Sequence, residues 1–109
     1  MTNATLETGI LRVLIARKGV PVSRKELCLA TGANDREVRR KIEALRNAGY
    51  PVLSNPYRTG YWLAKDEGEL EKFRRMIVKK CKREIETAMQ MKYMNETELK
   101  QEERNGNAI

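Results

Sequence analysis

Two helix-start signatures separated by a single glycine constrain what this chain can fold into more than any other feature. Ser23-Arg24-Lys25-Glu26 and Asn34-Asp35-Arg36-Glu37 both fit the capping-box pattern. In that pattern a short polar side chain accepts from the backbone of the first turn, and a Glu three residues on reaches back. Gly32 lies between the two signatures, where a residue free to adopt positive φ can end one helix and turn the chain. The interval therefore holds a first helix running to Thr31, a tight turn, and a second helix that ends at Ala48-Gly49. Short capped helices joined this closely cross steeply.

The flanking sequence completes a domain around this pair. Leu6, Ile10, Val13 and Leu14 recur at helical spacing between about Thr5 and Lys18, and Gly19 and Pro21 stop that run. It is helix one, and Val20 to Val22 is an extended link into the Ser23 cap. Leu27 and Ala30 are expected to face inward from helix two. On helix three, Val38, Ile42 and Leu45 fall within about 60° of one another at 100° per residue and form the buried stripe. Arg36, Arg40, Glu43 and Asn47 take the opposite face, with Arg39 and Arg46 on a flank, and Glu43 is expected to pair with Arg39 or Lys41. Pro51 to Ser54 and Gly60 to Ala64 then read as strands around the turn-rich loop Asn55-Pro56-Tyr57-Arg58-Thr59. A helix-turn-helix with a hairpin directly after it is a winged helix, so the expected class is mainly α with a small β-hairpin.

Charge narrows the partner. Residues 1–66 hold 12 Lys and Arg against 6 Asp and Glu, whereas 67–109 hold 10 against 9, so the net charge of +7 sits mostly with the helix-turn-helix. Such a balance attracts polyanions at long range. With no histidine, Asp35 and Asp66 as the sole aspartates and no phosphate-cradling glycine loop, no acid, base and nucleophile converge. No catalytic residue, cofactor or metal site is expected. Cys28 and Cys81 are too few for a disulfide framework and read as structural thiols. No stretch matches a membrane span or an export leader, which makes a cytoplasmic protein with no membrane partner the expectation.

From Gly9 to Lys65 the chain resembles the winged-helix domain at the amino end of the bacterial biotin repressor and its relatives. The resemblance is carried by Val22-Ser23-Arg24-Lys25-Glu26-Leu27, by the run from Arg36-Glu37-Val38-Arg39-Arg40 through Gly49-Tyr50, and by Gly60-Tyr61-Trp62-Leu63. It implies double-stranded DNA as partner, with helix three in the major groove and the wing on the backbone or minor groove, carried by Arg36, Arg39, Arg40 and Arg58. Ser23, Arg24, Lys25 and Asn34 complete the candidate docking set, and Tyr57 can support Arg58 by stacking. After the wing comes a helix and not a ligase or sensor domain, so no small-molecule effector is indicated. The chain also loosely resembles stand-alone winged-helix proteins of phages and conjugative elements. That widens the expected role to a transcriptional regulator or an accessory factor in replication or excision of a mobile element. A winged-helix adaptor that binds a protein without reading DNA sequence is the alternative, and an RNA backbone would satisfy the same charge.

Beyond the wing, Leu70, Phe73, Ile77, Cys81, Ile85, Ala88 and Met91 stay within about 60° either side of one line at 100° per residue. A helix over 66–91 would be about 39 Å long, more than a small domain can shield. Its first turns are expected to pack on the hairpin, with Phe73 against Trp62. The distal residues Ile77, Cys81, Ile85 and Ala88 are expected to meet a second copy in a homodimer. Lys72, Arg75, Lys79, Lys82 and Arg83 lie opposite, as a solvated face or as further phosphate contacts. The expected organisation is thus a winged helix over 1–65, a dimerisation helix over 66–94, and a frayed or disordered polar tail over 95–109.

Overall fold

Each helix starts where the sequence supplies a cap. The computed structural model describes residues 5–55 and 58–106, with the side chains of Arg58 and Thr59 outside that set. Thr5 caps α1 (Leu6–Ala16) by accepting from the Thr8 N–H. Ser23 Oγ caps α2 (Arg24–Thr31) by accepting from the Glu26 N–H at 3.1 Å. At α3 (Asp35–Asn47) the box is reciprocal: the Glu37 N–H donates to Asn34 Oδ1 at 2.9 Å and the Asn34 N–H donates to Glu37 Oε1 at 3.3 Å. Ser23 lacks the return half because the Glu26 carboxylate pairs with Arg17 just past α1. A guanidinium within reach is a stronger partner than one backbone N–H. Gly32 closes α2 at φ 76°, its N–H donating to Cys28 O at 2.8 Å.

Ile10, Leu14, Val22, Leu27, Val38, Ile42, Leu45 and Val52 form one buried cluster drawn from all three helices, the link and the hairpin. The inward face of α2 differs from expectation. Ala30 is exposed, and the half-buried Cys28 and Thr31 flank Leu27 instead, Thr31 Oγ1 donating to Leu27 O at 2.6 Å. The helix is rotated so that its inward line runs through Leu27 and Thr31, one turn apart.

β1 (Val52–Asn55) and β2 (Arg58–Leu63) are antiparallel, with Val52 opposite Leu63, Leu53 opposite Trp62, Ser54 opposite Tyr61, and an irregularity before Asn55 pairs with Arg58. The ladder thus reaches further into the loop than its turn chemistry suggests. The link contributes a one-residue third strand: the Val22 N–H donates to Tyr61 O at 2.8 Å and the Tyr61 N–H to Val22 O at 2.9 Å. Gly60 lets the link pass, since a Cβ there would stand 3.0 Å from Pro21 Cβ and 3.2 Å from Val22 O. Gly60→Ala is therefore expected to destabilise the domain by about 1–3 kcal/mol through overpacking. Urea unfolding followed by Trp62 fluorescence measures this, and a midpoint equal to that of the parent would refute the crowding.

Leu53 points away from the main cluster and is also buried, on the hairpin's other face. α4 (Glu67–Gln90) starts with Asp66 Oδ1 accepting from the Glu69 N–H at 2.8 Å, while Glu69 Oε1 accepts from the Lys65 N–H at 3.0 Å. Leu70 and Phe73 in its first turns are half-buried, and no residue of α4 is fully buried. The chain divides into compact units at residues 1–75 and 76–109. The second comprises the rest of α4 and a further helix, α5 (Glu96–Arg104), where a frayed or disordered tail was expected. The tail's polarity masked a local helix signal. Asn95 Oδ1 accepts from the Glu98 N–H at 2.9 Å, Glu96 pairs with Lys100 one turn on at 3.1 Å, and Arg104 closes the last turn. Residues 107–109 of that tail lie outside the described residues. Among the described residues no helix is long and apolar enough to cross a membrane, and no His, Cys, Asp or Glu group could hold a metal ion.

Candidate nucleic-acid interface

The buried stripe of α3 fixes which way its arginines face. With Val38, Ile42 and Leu45 each at most 3% exposed, the rotation of the helix is set by the core. Arg36, Arg39 and Arg40 are all exposed as a result. They are not equivalent. Among the described residues Arg36 and Arg40 make no ion pair, whereas Arg39 Nε lies 3.3 Å from Asp35 Oδ2. The other oxygen of that carboxylate, Oδ1, takes Arg24 Nε from the start of α2 at 2.8 Å. A hydrogen bond to Tyr61, and next the Asp35 charge, push the Arg24 pKa up. Lys25, beside it, is exposed and has no ion-pair partner among the described residues. Ser23 and Asn34 use their side-chain oxygens as caps and so set the first turns of α2 and α3.

The expected partners of Glu43 are taken by others. Arg39 goes to Asp35, and Lys41 reaches Glu7 on α1 at 2.8 Å, a contact that holds the Glu7 carboxyl below its ordinary range. The Glu43 charge acts instead on Arg46, partly offsetting the desolvation that lowers the pKa of that half-buried guanidinium. Sequence reasoning missed what Arg46 does. Its Nε donates to Val52 O at 2.7 Å and its Nη2 to Ser54 Oγ at 3.0 Å. The guanidinium also stands 5.1 Å from the centre of the Phe73 ring and 6.0 Å from that of Tyr61. It fastens the end of α3 to β1, and Phe73 brings the start of α4 to the same group. Its position on the flank of the buried stripe was the available signal.

Arg46→Met keeps the length of the side chain and removes its donors. It is expected to cost about 2 kcal/mol, because a charged donor is lost and the Val52 carbonyl is left without that partner. Arg46→Lys should recover little, since an ammonium cannot reproduce the fork. Chemical denaturation of the three proteins measures this, and a lysine variant as stable as the parent would contradict it.

At the wing, the register sets Arg58 opposite Asn55 at the end of the hairpin. Tyr57 and the Arg58 side chain lie outside the described residues. In the second unit, Ile77, Cys81, Ile85 and Ala88 are all exposed, Ile77 at 39% and Ile85 at 63%.

Three helices around one core, a glycine turn between the second and third, arginines on the outer face of the third and a hairpin after it define a winged helix-turn-helix. Comparison with known families agrees. The HTH domain family matches residues 7–62, just over half of the chain, and the chain belongs to that family as a DNA-binding helix-turn-helix protein. No curated protein and no solved structure matches the chain.

Proposed function

We propose that the chain is a sequence-specific double-stranded DNA-binding protein that works as a homodimer, as a transcriptional regulator or as an accessory factor in replication or excision of a mobile element. The observation that carries this reading is the pair Arg36 and Arg40, exposed and without ion pairs among the described residues, on the outer face of a helix whose inner face is locked in the core. Donors held in that way on the amino-terminal turns of a recognition helix suit the base edges of a major groove. Arg24, Lys25 and Arg39 flank them for phosphate or base contact. Tyr57 and Arg58 of the wing would meet the backbone or minor groove. Ile77, Cys81, Ile85 and Ala88 would face a second copy, presenting two recognition helices to a two-fold site.

Selection from a randomised duplex library at roughly 150 mM salt, where purely electrostatic binding is suppressed, tests this. Enrichment of an inverted repeat is the expected result. No enrichment, with affinity collapsing as salt rises, would overturn the reading and point to a protein adaptor whose arginine face meets an acidic partner.

A further inference from the structure

We infer that Asp35 is a positioning residue for sequence reading: one carboxylate orients Arg24 from α2 and Arg39 from α3, so that it governs specificity more than affinity. The inference rests on the DNA-binding reading above. Each oxygen of Asp35 takes the Nε of a different arginine, at 2.8 Å for Arg24 and 3.3 Å for Arg39. Arg24 is held a second time, by a hydrogen bond to Tyr61, and a guanidinium has five N–H donors, more than these contacts use. The two arginines are thereby restrained in orientation, with donors left over for a ligand.

Neither stability nor capping accounts for the arrangement. All three side chains are about half exposed, and ion pairs of that kind contribute little to folding. The α3 cap is complete without Asp35, through Asn34 and Glu37. What the arrangement does change is the free state of two long side chains on the docking face. An unrestrained arginine loses rotamer freedom when it docks, and a restrained one has already lost part of it. Asp35 also adds a negative charge to a face that would meet phosphates. It weakens binding to any duplex that does not draw the two arginines into productive contacts, and discrimination is a difference of affinities.

Asp35→Asn separates these effects, since it keeps the size of the side chain and removes the charge. The full chain, parent and variant, is titrated against the duplex enriched by selection and against a scrambled duplex of equal length over a range of salt, with thermal unfolding recorded beside it. The variant is expected to lose roughly five- to tenfold of its preference for the enriched duplex, in the range of one misplaced arginine contact. It should bind the scrambled duplex at least as tightly as the parent does, with a salt slope steeper by about 1. Asp35→Glu, which restores the charge on a longer arm, should recover part of the preference. A preference retained within about twofold, or equal weakening on both duplexes, overturns the inference while leaving the DNA reading intact. A parent that shows no preference overturns both, and that result is read from the parent alone.

Discussion

Ile85→Asp, alone or with Ile77→Asp, is expected to leave the protein monomeric and to weaken binding to an inverted-repeat duplex by about 10²–10⁴-fold, the gain that linking two binding units confers. Both residues belong to the 76–109 unit and are exposed, at 63% and 39%. Neither residue is one of the buried core side chains. In a helix–helix seam, by contrast, each carboxylate would be buried without a partner, a cost that an apolar interface cannot absorb. Light scattering after size exclusion gives the mass, and titration against a single half-site and against the full repeat gives the affinities. Half-site binding should be unchanged. A parent that is itself monomeric at micromolar concentration, or a variant that binds the repeat as the parent does, would show that the α4 stripe meets something other than a second copy.

Local rules worked wherever one short stretch decides the outcome. Ser23, the Asn34–Glu37 box, the turn at Gly32 and the stripe of Val38, Ile42 and Leu45 all appear as expected, because capping and periodicity depend on neighbours within a few residues. They failed where a side chain chooses between a local and a distant partner. Glu26 leaves its own cap for Arg17, Arg39 takes Asp35 and not Glu43, and Arg46 turns from a helix flank into the hairpin. In each case the deciding group is charged, and its partner depends on how the elements pack. The Val22 bridge to Tyr61 is a single residue pair and leaves no pattern to find. α5 was missed for a different reason, since overall polarity outweighed an Asn95 cap that obeys the same rule as Asn34.

At the docking face itself, Arg36→Ala with Arg40→Ala is expected to reduce discrimination between the enriched and a scrambled duplex by about 10²-fold or more. One well-placed arginine fork on guanine is worth roughly 1–3 kcal/mol of discrimination, and the double variant removes two from each recognition helix. Among the described residues neither side chain makes an ion pair, and neither lies in the core. Stability should therefore stay within about 0.5 kcal/mol of the parent, helped by the higher helix propensity of alanine. Arg58→Ala provides the contrast. A wing arginine that meets phosphate or minor groove contributes to every duplex alike, so its loss should weaken both by a similar factor and lower the salt slope by about 1. The decisive observable is the ratio of the two affinities. If the α3 double variant loses affinity for both duplexes equally, Arg36 and Arg40 act as phosphate contacts and α3 does not read bases. If it binds both as the parent does, the docking face lies elsewhere on the domain.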